Sequence, residues 1–126
     1  LVLNDLSYIV KGGRAPAKIK TIANLLRLRP ILGVKNGALK PRGVLYGKSN
    51  MVEKFTTYIN KKINRNKRYR VMVAHANAKS KAGVLIDNLL RINDNIDEHF
   101  VLELGCALGA HAGPGALAVG LQEVDI

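Results

Sequence analysis

The chain has 126 residues, enough for about one domain with a real core, and carries a formal net charge of +11. Its single cysteine, Cys106, excludes a disulfide scaffold and is read as the mark of an intracellular, reducing compartment, the cytoplasm. No apolar run reaches the roughly 18 residues of a membrane helix and no signal segment opens the chain, so its start at Leu1 reads as that of a soluble fragment.

In chain order the pattern alternates between helix and strand. Leu6, Ile9 and Val10 share a helical face behind a candidate Asp5 cap, and Gly12-Gly13 closes that segment. Pro16 suits a first helical turn; Ile19, Ile22, Ala23 and Leu26 follow at helical spacing to Arg29, where Pro30 is expected to stop the helix. Two apolar runs then flank Asn36-Gly37, the strongest short signal for a hairpin, with Pro41 and Gly43 marking the second arm as an edge or bulged strand.

Val52, Phe55, Ile59 and Ile63 form the next helical stripe, with Asn50 and Glu53 at capping-box spacing. Val71 to Ala74 reads as a buried strand. Ala82, Leu85, Leu89 and Ile92 make a further helix, and Phe100 to Leu104 and Ala116 to Leu121 make two more strands. The fold class expected is therefore α/β: helices packed on a sheet that the hairpin makes mixed.

The charge is uneven. Residues 1–70 hold 17 Lys or Arg against Asp5 and Glu53, a net of +15, whereas residues 71–126 hold three against seven acids, a net of −4. Such a split suits an anionic partner. The densest run, KKINRNKRYR over residues 61–70, is read as a solvated helix end in preference to a phosphate-tracking patch, because Tyr69 is its only aromatic. A nucleic-acid or anionic-membrane module using the basic first half stands as the alternative function.

Few side chains could carry chemistry. His75 ends a strand in VAHANA, where α/β proteins place ligand-facing groups, although a ring bonded to nearby backbone fits equally well. His99 sits in the acidic stretch DNIDEHF and reads as a surface residue. Cys106 and His111 lack a third orienting group for nucleophilic catalysis, and the spacing of His75, Cys106 and His111 does not suggest a metal site. No catalytic residue, metal or cofactor is expected. KGGRAPAK, around Arg14, is either an anion-binding loop before a helix or a plain turn.

The most informative stretch is LGAHAGPGALAVG, Leu108 to Gly120. Gly109, Gly113 and Gly115 with Pro114 shape a glycine loop, and small apolar residues surround His111. An imidazole in such a wall needs a partner, since an unsatisfied buried polar group costs about 1 to 3 kcal/mol. Either the backbone or a ligand supplies it.

LSYIVKGGR (Leu6 to Arg14), RPILGVKNG (Arg29 to Gly37), VAHANA (Val73 to Ala78) and above all GCALGAHAGPGALAVG (Gly105 to Gly120) together resemble the C-terminal half of the DegV family, the bacterial fatty-acid-binding proteins also known as FakB subunits of fatty acid kinase. The resemblance runs in order over nearly the whole chain and implies that residues 1–126 form the C-terminal domain of a two-domain fold whose N-terminal domain lies outside this chain. It implies a long-chain fatty acid held between the domains, its carboxylate presented to an ATP-using kinase catalytic subunit that makes the acyl phosphate for phospholipid synthesis. By the same resemblance His111 and Arg14 contact the carboxylate, and Ile31, Leu32 and Leu108 are the expected lining of the acyl chain. Nucleic acid is not an expected partner. Where relatives carry an arginine-rich stretch, Val44 to Ser49 here reads VLYGKS, with Lys48 its only cation.

Overall fold

Parallel strands need a long crossover between them, and this chain supplies one. Strand β3 (Arg68–His75) leads into a helix, Lys79–Ile92, and the chain returns as β4 (Ile96–Glu103), parallel to β3. The last strand, β5 (Leu117–Val124), pairs antiparallel on the other side of β3, which gives the order β4-β3-β5. The computed structural model describes residues 1–4, 6–13, 16, 18, 21, 28–47 and 49–124. Asp5, Arg14, Lys48 and most of the helix expected after Pro16 lie outside them.

Upstream stand helix α1 (Ser7–Lys11), the hairpin strands β1 (Leu28–Lys35) and β2 (Ala38–Tyr46), and helix α2 (Met51–Asn60). The crossover helix is α3, and a short helix α4 (Cys106–Ala112) joins β4 to β5.

The hairpin forms as expected. Asn36 (φ 54°) and Gly37 (φ 77°) make a two-residue turn that closes on the pair Lys35↔Ala38. Ile31 faces Gly43 and Leu32 faces Pro41, so Arg42 is the extra residue of a bulge between the two breakers, and its side chain lies over Gly33. The hairpin is, however, its own two-stranded sheet. The three-stranded sheet is mixed because β5 runs against β3, and among the described residues the backbone link between the two sheets is Val2, which bridges Ile31 on one side and Leu117 on the other.

Several local expectations are corrected. Leu28 and Arg29 belong to β1, not to a helix end: a residue before proline is pushed into the extended region, and Pro30 is tolerated because β1 lies at an edge. Asn50 does not build a capping box. It sits in the left-handed region (φ 57°, ψ 38°) with no side-chain cap bond, whereas such a cap needs extended backbone. Ile92 ends α3 at 44% exposure, outside the buried stripe of Ala82, Leu85, Ile86 and Leu89.

KKINRNKRYR is a helix end only at its start, where Lys61 caps α2 and Lys62 follows in the closing turn. Helix α2 stops at Asn60, and Arg68 and Arg70 already belong to β3. Lys67 pairs with Glu123 at 2.8 Å, Arg70 with Glu98 at 2.7 Å, and Arg68 with Asp97, so these cations bind neighbouring strands to β3. The alternation of β3 decides which face does what. Tyr69, Val71 and Val73 point to the core with Phe55, Leu85, Leu89 and Leu117, while Arg68, Arg70 and Met72 point away from it.

Candidate functional site

A second, smaller cluster gathers small and branched side chains: Leu3, Leu6, Ala76, Ala112 and Ala116, with Leu1, Leu28, Leu32 and Leu104 packed against it. Helices α1 and α4 meet over this cluster. Short helices of five and seven residues are marginal alone, so their contact with each other and with the cluster holds them.

Glycines make that contact possible, for two different reasons. At Gly12 φ is −77°, a conformation open to any residue, yet a Cβ there would lie 2.2 Å from His111 Nδ1 and 2.7 Å from Cε1. The edge of the imidazole occupies the space a side chain at residue 12 would need. Gly113 has φ +80°, and a Cβ there would also meet the Tyr8 ring at 2.6 Å. Gly115 (φ +87°) stands in the same relation to the Asn4 side chain, at 2.7 Å.

The glycine loop expected over residues 109–115 is corrected by this geometry. Gly109 lies inside α4, where small residues pack as helix, and the turn proper begins at Gly113. His111 therefore sits in the last turn of a helix with its ring clasped by Gly12.

Nδ1 of His111 is buried without a hydrogen-bond partner among the described residues, the only side-chain atom of this kind among them. Leu108, three residues earlier, shares its helical face and is 55% exposed. Leu32 packs into the small cluster beside Ala112, whereas its neighbour Ile31 points to the opposite face and fills the main core at 2% exposure. The structure thus places Leu108 and His111 on α4 with Gly113 at its end, sets Leu32 against the small cluster that holds Ala112, and leaves Ile31 elsewhere.

Tyr8 and Gly12 complete the wall and are missed by sequence reasoning. Gly12 was legible only as a helix-ending glycine; nothing in the chain order says that residue 111 packs on it. Cys106 and His111 are set apart, roughly 140° around the axis of α4, so they do not form a nucleophile and base. Among the described residues no group of three His, Cys, Asp or Glu side chains is placed to hold a metal ion, and no helix is long and apolar enough to cross a membrane.

His75 ends β3 in the buried interior, its Nδ1 accepting the backbone N–H of Ala78 at 3.1 Å. His99 is an exposed residue of β4.

Fold and wall define an α/β domain with a mixed sheet, closed at one side by a glycine-clasped imidazole in an apolar setting. The chain belongs to the DegV family: the model described as "Uncharacterised protein, DegV family" matches residues 1–124. It is 30% identical over 122 residues to a DegV domain-containing protein of Clostridium perfringens, covering 96% of this chain and 43% of that one. It is 27% identical to a protein of Thermotoga maritima named fatty acid-binding protein, covering 98% of this chain and 42% of the relative. Among solved structures, the fatty acid binding DegV family protein of Streptococcus agalactiae superposes with a TM-score of 0.75 at 26% identity, over 95% of this chain and 42% of that one. The chain therefore spans well under half the length of these relatives.

Proposed function

We propose that this chain is the C-terminal, carboxylate-facing domain of a two-domain fatty-acid-binding protein. One observation carries the reading: an imidazole whose ring has no hydrogen-bond partner among the described residues, fixed by Gly12 in a wall of small apolar residues. With Nδ1 shut against Gly12, Nε2 is the ring atom available to a ligand, and a charged acceptor on an apolar tail suits both the donor and its surroundings. That the relatives in Thermotoga maritima and Streptococcus agalactiae are fatty-acid-binding proteins supports the same ligand class.

In this reading Arg14 joins His111 at the carboxylate, and Leu32 and Leu108 meet the acyl chain. The N-terminal domain supplies the rest of the tunnel. The protein works in the cytoplasm and is not itself a catalyst; it presents the acid to a separate ATP-dependent kinase that makes the acyl phosphate. The nucleic-acid alternative loses ground because Lys67, Arg68 and Arg70 are held in ion pairs across the sheet.

Titration of a family-length protein carrying this domain with a fluorescent fatty acid tests the reading. His111→Ala should weaken binding by about 1.5 to 3 kcal/mol, the range of a hydrogen bond to a charged group. Unchanged affinity, with unchanged phosphorylation of the bound acid by the kinase, would make His111 a structural residue.

A further inference from the structure

Beyond the carboxyl ends of β3 and β4 lies another cavity, of about 740 Å³, lined among others by His75, Asn77, Lys79, Ser80, Lys81 and Glu103. It shares Gly115 with the glycine turn, but neither Tyr8, Gly12 nor His111 lines it, so the groups that would meet a ligand here differ from those of the wall described above.

Three sets of donors converge there. His75 is 7% exposed, and its Nδ1 accepts from the Ala78 amide. An acceptor at Nδ1 leaves the neutral ring's proton on Nε2, and no protein group among the described residues receives it. The second set is the first turn of α3. This helix has no side-chain cap and no acid in its first turn; Ala82 is the first residue whose amide bonds back, to the Ala78 carbonyl at 2.9 Å. The amides of Lys79, Ser80 and Lys81 are thus without helical partners. Third, the ammonium groups of Lys79 and Lys81 and the hydroxyl of Ser80 flank those amides, and neither lysine is in an ion pair among the described residues.

We propose that this cavity binds a phosphate group, either inorganic phosphate or the head of a phosphomonoester. A tetrahedral dianion can accept from the amides, the imidazole and the lysines at once, whereas a carboxylate has fewer acceptor sites to share among them. Glu103, at the end of β4, is a poor neighbour for a second anion but a good acceptor for a hydroxyl or amine on the ester. The polarity of the cavity thus orients the ligand, phosphate towards α3 and neutral or cationic end towards β4.

The test is an NMR titration of the isotope-labelled chain with inorganic phosphate and, separately, with vesicles containing phosphatidic acid. Saturable shifts are expected at the amides of Lys79 to Ala82 and at the His75 ring. Lys79→Gln with Lys81→Gln should raise the dissociation constant by about tenfold or more, while Lys61→Gln with Lys62→Gln, the same change in net charge, should leave it unchanged. Saturation with free phosphate assigns a soluble ligand; saturation with the vesicles alone assigns a lipid head group to the same contacts. Linear shifts with both probes, or equal weakening by the two double variants, would overturn the proposal.

Discussion

Gly12 and His111 fit together only because residue 12 has no side chain: a Cβ there would stand 2.2 Å from Nδ1. Gly12→Ala should therefore push the ring out of place and cost about 1 to 3 kcal/mol, the usual penalty of overpacking. The double variant identifies the cause. In a His111→Ala background the same substitution should cost much less, since the clash is gone, and thermal unfolding of the four proteins measures the non-additivity. Additive effects would show that the tight approach is relieved elsewhere.

At Gly37 the constraint is of the other kind. Nothing lies within 4 Å of a Cβ added there, yet φ is +77°. Gly37→Ala should cost about 1 to 2 kcal/mol from the left-handed backbone alone, with the hairpin otherwise intact. Chemical denaturation gives the magnitude, and retention of the Lys35↔Ala38 pairing by amide exchange shows that the register is kept.

The hairpin was legible because its signal is local: Asn36-Gly37 states a backbone conformation, and Pro41 and Gly43 bracket the bulge at Arg42. Helical stripes such as Val52, Phe55 and Ile59 were legible for the same reason. What failed depended on partners far along the chain. Arg68 and Arg70 look like more of a basic run until Asp97 and Glu98 arrive on the parallel strand. Likewise His111 could be seen to need a partner, but the residue that clasps it lies 99 positions away, across a contact between two short helices.

The Arg68–Asp97 pair predicts a small, signed pH effect. The hydrogen bond from Arg68 lowers the Asp97 pKa below its ordinary value of 3.8. A carboxylate with a depressed folded pKa contributes stability that is present above the unfolded value and lost as pH falls through the folded one. Asp97→Asn should therefore be less stable than the parent at neutral pH, with the difference closing in acid below 3.8. Both side chains reach solvent, so salt should also shrink the difference. Unfolding curves across pH and salt check both trends, and a gap that persists in strong acid would assign the effect to something other than this ion pair.

Coverage of the relatives bears directly on affinity. Burying about fifteen methylenes at roughly 0.8 kcal/mol each bounds the gain at about 12 kcal/mol before the ligand is ordered. This chain spans 42–43% of the relatives' length and offers one wall, in which Leu108 is 55% exposed and Nδ1 of His111 is buried. If it supplies about half the apolar contact, the shortfall is several kcal/mol, and affinity drops at least a thousandfold at about 1.4 kcal/mol per decade. The chain alone should thus retain fatty acid weakly or not at all, whereas the family-length protein should retain it through purification. Mass spectrometry of organic extracts from the two preparations makes the comparison. Equal retention by the chain alone would mean that its own fold encloses the acyl tail, and that the wall between α1 and α4 is the floor of a complete pocket and not half of a shared one.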